Sequence, residues 1–147
     1  PQMIVTSREH PNYNMKIFGY PEWQTYTDDH LASFFELDTY FYSSFYTNNL
    51  FPEAIKFTNA YRKWYSKDMA NTFPKYGMLG FDTAFFFLKG LHKYGSNFEE
   101  NMNQMMLTPI QTGFKFERVN NWGGFINRKV FFVNFTKNFE LIKLDFE

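Results

Sequence analysis

Cysteine is absent from the 147-residue chain. That excludes a disulfide framework, a thiol nucleophile and a cysteine-ligated metal, and it fixes no compartment. No apolar run approaches the ~18 residues of a membrane-spanning helix, so no membrane span is expected. Net charge is missing too, since 15 basic residues balance 15 acidic ones. A nucleic-acid-binding protein carries a basic excess or stripe that neutralises phosphates, so no nucleic-acid partner is expected. The chain opens Pro1-Gln2-Met3, with neither a basic n-region nor an apolar h-region. A signal peptide is expected to be absent or already removed. Linkers rich in Gly, Ser or Pro are lacking, as are internal repeats, so residues 1–147 read as a single α/β domain. With 44% hydrophobic and 20% charged residues, the composition is that of a folded chain rather than a disordered one.

Complete catalytic motifs are also lacking. His10, His30 and His92 have no partner at helical spacing, so no metal site is expected. Asp28-Asp29 and Glu99-Glu100 are adjacent on helices, where neighbours point apart, and read as charge at helix N-termini. No serine lies in a nucleophile elbow. Gly77-Met78-Leu79-Gly80 lacks the remaining glycines and the Lys-Ser/Thr of a phosphate loop. No catalytic residue and no cofactor is expected.

What is abundant is aromatic: 23% of the chain, with 21 Phe, 10 Tyr and 3 Trp. Each buried ring removes roughly 150–250 Å² from water, so Phe is expected to build the core, with some rings left exposed or at interfaces. Met15-Lys16-Ile17-Phe18 reads as a buried strand stopped by Gly19-Tyr20-Pro21. Thr27-Asp28-Asp29 offers N-cap chemistry to a short helix carrying Leu31, Phe34, Phe35 and Leu37. Residues 40–46 read as a second strand. Pro52 and Glu53 open the clearest amphipathic helix, over 52–68, in which Ala54, Phe57, Tyr61, Trp64 and Tyr65 form the apolar face expected to enter the core. Residues 77–80 form a short apolar segment, a tight strand or a turn. A helix capped by Asp82 or Thr83 follows, weakened by Gly90 and ended at Gly95. A further short helix is expected over 97–106. Beyond Pro109 the period becomes that of strands, with a hairpin around Lys137-Asn138 joining runs 129–136 and 140–146. The order predicts an α/β fold, a mainly parallel sheet flanked by helices with a C-terminal antiparallel β segment.

Five stretches taken in order resemble the C-terminal part of type I periplasmic binding proteins, the family of the leucine/isoleucine/valine receptors. They are Lys16 to Trp23 (KIFGYPEW), residues 40–48, the helix from Pro52-Glu53 through Phe57 and Tyr61, Gly80-Phe81-Asp82, and Gly113 to Phe116 with Gly123-Gly124. The GYPEW and NWGGF segments look like a bacterial cell-envelope subgroup that joins such a region to peptidoglycan-binding LysM modules. The resemblance covers residues 15–146 and implies a fragment of a larger, two-lobe protein of the periplasm or cell envelope. It also implies non-covalent capture of a small-molecule or peptidoglycan-derived ligand in a cleft beyond the strand ends. The matching loops hold Tyr20, Glu22 and Trp23, then Tyr46, Thr47 and Asn48, then Phe81 and Asp82. Tyr20 and Trp23 would supply aromatic walls and Glu22 would pair with an ammonium group. Phe81 stands where the family often has Tyr, so a hydroxyl contact is lost. Asp82 also has a plain reading as a helix N-cap.

The leading expectation is therefore a non-catalytic binding or scaffold module. It would self-associate as a dimer, or dock to a missing N-terminal half, through exposed sheet edges and rings. Two alternatives remain. One is a carbohydrate- or peptidoglycan-binding module using Trp23, Trp64 and Trp122. The other is a cell-wall glycan hydrolase using Glu22, Asp38 or Asp82, which needs two carboxyls in one cleft, at least one with a raised pKa.

Overall fold

The computed structural model describes residues 15–25 and 27–144 and, ahead of them, Thr6, Glu9, His10 and Asn12, with backbone alone at 24–25 and 27–29. The expected capping side chains Thr27, Asp28 and Asp29, most of the irregular lead-in and the end of the last strand lie outside the described residues. The chain divides into two compact units, Pro1–Ser43 with Phe131–Glu147, and Ser44–Val130.

The first unit is a four-stranded sheet with one helix. Strand β1 (Ile17–Gly19) leads through a 3-10 turn (Pro21–Thr25) and helix α1 (Thr27–Glu36) to strand β2 (Thr39–Ser43). β1 and β2 are parallel, with Ile17 opposite Thr39 and Gly19 opposite Phe41. The other edge of β2 is taken by the C-terminal hairpin, β5 (Phe131–Phe135) and β6 (Leu141–Leu144), giving the order β1-β2-β5-β6. Both of those pairings are antiparallel. Alternation decides what is buried. In β2, Thr39, Phe41 and Ser43 point inward, and Phe41 is 0% exposed. Helix α1 closes this side with Phe34, whose ring meets Phe41 edge-on at 5.1 Å, and with Phe35, 5.2 Å from Phe135. Gly19 is required here, because a Cβ would stand 2.1 Å from the Phe41 ring.

A mainly parallel sheet flanked by helices is thus not what forms. One parallel pair exists, and everything added to it is antiparallel. Residues 77–80, expected as a tight strand or a turn, lie in the first turn and a half of a helix, so among the described residues no further strand–helix–strand crossover extends the parallel ladder.

Asp38 joins α1 to β2 in the left-handed conformation (φ 50°), one that Asp tolerates. Its carboxylate accepts Lys16 Nζ at 2.6 Å and Asn134 Nδ2 at 3.0 Å, linking the start of β1 to β5. The Lys16 hydrogen bond, reinforced by Asn134 and opposed by burial, holds the Asp38 carboxyl below its ordinary value. The same bond, with a lesser one from Tyr40, raises Lys16. A depressed carboxyl stabilises above its unfolded pKa and loses that contribution as pH falls through the folded value. A raised amine stabilises below its unfolded pKa and loses that contribution as pH rises through the folded one. The stability gap between wild type and Lys16→Met is therefore expected to be widest between about pH 5 and 9 and to close on both sides. It stays small, because half of the Lys16 side chain faces water. Urea midpoints across pH check this, and a gap independent of pH would refute it.

The second unit holds helices α2 (Pro52–Tyr65), α3 (Tyr76–Tyr94) and α4 (Phe98–Asn101) and the antiparallel hairpin of β3 (Phe116–Arg118) and β4 (Phe125–Asn127). Proline opens α2 as expected. The aromatic face of α2 is not core, however. Ala54 is its one buried residue, and Trp64 is 81% exposed. Tyr65, Tyr61 and Phe57 instead form a ladder continued by Phe81 and Phe85 of α3, with Phe57 and Phe81 5.0 Å apart. The core of this unit lies further along α3, where Phe86 meets Phe98, Phe114 and Phe116 beside Met102. Gly90 belongs to it: a Cβ there would stand 2.0 Å from the Phe98 ring, so the residue that weakens the helix also admits α4 against it.

Candidate functional site

A cleft of about 450 Å³ lies within the second unit, in the size range of small-molecule sites, about 300–1,000 Å³. Helix α2 supplies one wall. Ile55, Thr58, Asn59 and Arg62 follow helical spacing and share one face. The helix stops at Ser66, whose left-handed backbone (φ 53°) lets its N–H reach the Arg62 carbonyl at 2.8 Å and reverses the chain. The returning segment brings Asp68, Met69, Asn71 and Lys75 to the same cleft. Asp68 pairs with Arg62 across the reversal. Met78, buried at the start of α3, adds apolar surface, and Asn49 completes the lining from the loop ahead of α2.

A buried hydrogen-bond relay stands behind this lining. The Lys75 N–H donates to Gln111 Oε1 at 3.0 Å, and Gln111 Nε2 donates back to the Lys75 carbonyl at 3.3 Å. Gln111 is 3% exposed. Its own N–H donates to Asp82 Oδ2 at 2.7 Å, as does that of Thr112 at 2.8 Å, while Ile110 N–H donates to Oδ1 at 2.8 Å. One buried carboxylate thus takes three main-chain donors from the segment that holds Lys75 in place. Three charge-assisted hydrogen bonds are what a buried carboxylate without a cationic partner needs.

No protein-family model, curated protein or solved structure matches this chain. Its own chemistry therefore has to carry the reading.

Several of the expected ligand-contacting residues stand together here, behind the cleft rather than lining it. Asp82 anchors the 110–112 segment and is not an N-cap, since α3 begins six residues earlier. Tyr46 donates its N–H to the Gln111 carbonyl at 3.0 Å. The Thr47 hydroxyl lies 3.8 Å from Met78 Sδ. Asn48 makes the turn into α2, its Oδ1 accepting Leu50 N–H at 3.0 Å and its carbonyl accepting Phe51 N–H at 3.1 Å, and so places the neighbouring Asn49. Phe81 belongs to the ring ladder, stacked on Phe85 at 5.7 Å. Tyr20, Glu22 and Trp23 lie in the other unit, where the Tyr20 and Trp23 rings meet edge to face at 6.0 Å just after β1.

The lining residues Asn49, Thr58, Asn59, Arg62, Asp68 and Lys75 were not singled out by the sequence. A signal existed for some of them: positions 55, 58, 59 and 62 form a stripe at helical spacing on the clearest helix. It read as a solvated wheel because its partners come from beyond the helix end. Of the histidines, His10, His30 and His92 are all exposed. Among the described residues, no group of three or more His, Asp or Glu could hold a metal ion.

Proposed function

We propose that the protein is a non-catalytic binding module that captures a small, hydroxyl-rich molecule in the cleft of its Ser44–Val130 unit. The observation that carries this is the lining. Three carboxamides, Asn49, Asn59 and Asn71, and the Thr58 hydroxyl stand beside the Arg62–Asp68 pair over an apolar surface of Ile55, Met69 and Met78. A sugar hydroxyl both donates and accepts. Each carboxamide offers both functions at fixed spacing, and a guanidinium beside a carboxylate does the same with no net charge. The apolar side chains suit the C–H face of a ring. A non-catalytic role is supported by the carboxylates a hydrolase would use. Asp38 is held low rather than raised, and Asp82 is committed to three main-chain donors.

Thermal melts of the full chain against glucose, N-acetylglucosamine and free amino acids test this. A sugar at 100 times its dissociation constant adds about 2.7 kcal/mol to stability, or several degrees of melting temperature for a chain of this size. The shift should vanish in Asn59→Leu/Asn71→Leu. Sugar shifts that survive in that variant, or none with any sugar, would sink the reading.

The exposed rings favour self-association alongside capture. Trp64, Tyr65 and Leu88 (69% exposed) stand out on the two helices that share the aromatic ladder. An apolar surface of that kind suits a second copy of the same chain. Light scattering on the same samples should give a dimer mass, reduced to the monomer by Leu88→Glu.

A further inference from the structure

We infer that the hydroxyl-rich ligand of the Ser44–Val130 cleft also carries one acidic group, and that Lys75 selects it; this rests on the sugar reading of that cleft. Three charged residues line the cleft: Arg62, Asp68 and Lys75. Arg62 and Asp68 pair with each other and together leave no net charge. Lys75 has no such partner. Among the described residues its hydrogen bonds are all made by its main chain, and its ammonium makes no ion pair. No acidic residue stands in the first turn of α3, which follows it. The rest of the lining is neutral, so one positive charge remains uncompensated there. Neutral hydroxyls accept hydrogen bonds from an ammonium but do not neutralise it, whereas a carboxylate or phosphate on the ligand does both.

The position of this charge is built into the fold. Lys75 is half-buried, while the Arg62 and Asp68 side chains are 57% and 70% exposed. A charge part-way out of water acts through a lower effective dielectric than a fully solvated one, so an anion gains more beside Lys75 than at the exposed pair. The main chain that carries it is fixed on both sides. Its N–H and carbonyl are held by the buried Gln111 side chain at 3.0 and 3.3 Å, and the carbonyl also accepts the N–H groups of Met78 and Leu79, each at 3.0 Å. The Asp82 carboxylate at the end of this relay is 3% exposed and spends both oxygens on main-chain donors, out of a ligand's reach. Thr58, Asn59 and Asn71 make no side-chain hydrogen bond among the described residues and remain for the hydroxyls of the sugar. A simple carboxylate would leave those groups unused, and a neutral sugar would leave Lys75 without a counter-charge.

Amide NMR titration of the full chain tests this with matched pairs, glucose with glucuronate and galactose with galacturonate, and with glucose 6-phosphate and acetate. In at least one pair the acid should bind about tenfold more tightly than its neutral partner, and acetate should bind about tenfold more weakly than that acid. Glucose 6-phosphate distinguishes the two sources of the charge: binding tighter than glucuronate makes the group a phosphate, and weaker binding makes it a carboxylate. Lys75→Gln keeps the main-chain atoms that Gln111 holds and should erase the preference for the acid, Lys75→Arg should restore it, and added salt should narrow it in wild type. A merely structural role would weaken acid and neutral sugar alike and leave their ratio unchanged, which would overturn the assignment of Lys75. Neutral sugars that bind as tightly as both acids and glucose 6-phosphate would overturn the acidic ligand while leaving sugar capture standing. Acetate binding as tightly as the acids, or no binding by any sugar, neutral or acidic, would overturn both.

Discussion

Asp82→Ala is expected to cost about 3–5 kcal/mol, a large share of the roughly 5–15 kcal/mol that holds a domain folded. The substitution leaves the N–H groups of Ile110, Gln111 and Thr112 without their acceptor, and Gln111 and Thr112 are both buried. Each orphaned donor costs about 1–3 kcal/mol, less whatever local relaxation recovers. Asp82→Asn should fall between wild type and Ala. Its single oxygen can serve the two donors that share Oδ2, while its amide nitrogen would face the N–H of Ile110. The effect reaches the cleft as well, because Gln111 holds Lys75 through both main-chain groups. Urea unfolding measures the first consequence, and the size of any sugar-induced melting shift measures the second. A loss below about 1 kcal/mol for Ala would mean that water replaces the carboxylate and that the relay is not what orders the 110–112 segment.

Phe86→Ala is expected to cost about 3–5 kcal/mol through the cavity it opens. The ring is 2% exposed and lies 4.3 Å from Phe114, 5.4 Å from Phe116 and 5.9 Å from Phe98. Each favourable ring pair adds roughly 0.5–1.5 kcal/mol beyond the area it buries. Phe86→Leu keeps most of the volume and should cost nearer 1–1.5 kcal/mol. Urea midpoints of the two variants measure both costs. Equal destabilisation by Ala and Leu would show that ring contacts, not filled volume, dominate this core.

Much of the local structure was legible in the residues. Pro52 and Glu53 marked the start of α2, and its end at Tyr65 lies within three residues of the expected 68. Lys137-Asn138 marked the β5–β6 turn, which Thr136 and Glu140 close with paired hydrogen bonds. The strand, helix and strand of β1, α1 and β2 came in the expected order. These signals depend on neighbours within about four residues, where caps, turn chemistry and periodicity operate.

The errors lie where distant contacts override local preference. Residues 77–80 look like a strand or turn, since two glycines interrupt a short apolar run, yet they are helical. Gly77 fits there because it lies close to the Tyr61 ring and Met69. The direction of the sheet was settled by β5, about 90 residues along the chain from β2, and no periodicity encodes which edge a strand will join. Trp64 looked like core because it shares a helix face with Phe57 and Tyr61, but a face is buried only where another element covers it.

The sequence by itself determined the aromatic character of the core, the start of α2 and the β5–β6 turn, and the absence of thiol chemistry and of a basic excess. Tertiary structure alone decided that the sheet is mixed, that Asp82 takes three donors from some 30 residues away, and that polar side chains from Asn49 to Lys75 face one cleft. The reason is the range of the forces involved. Helical spacing and capping are written into adjacent residues. The partner of a buried carboxylate, or of a strand edge, is whatever group the rest of the fold brings within hydrogen-bonding distance.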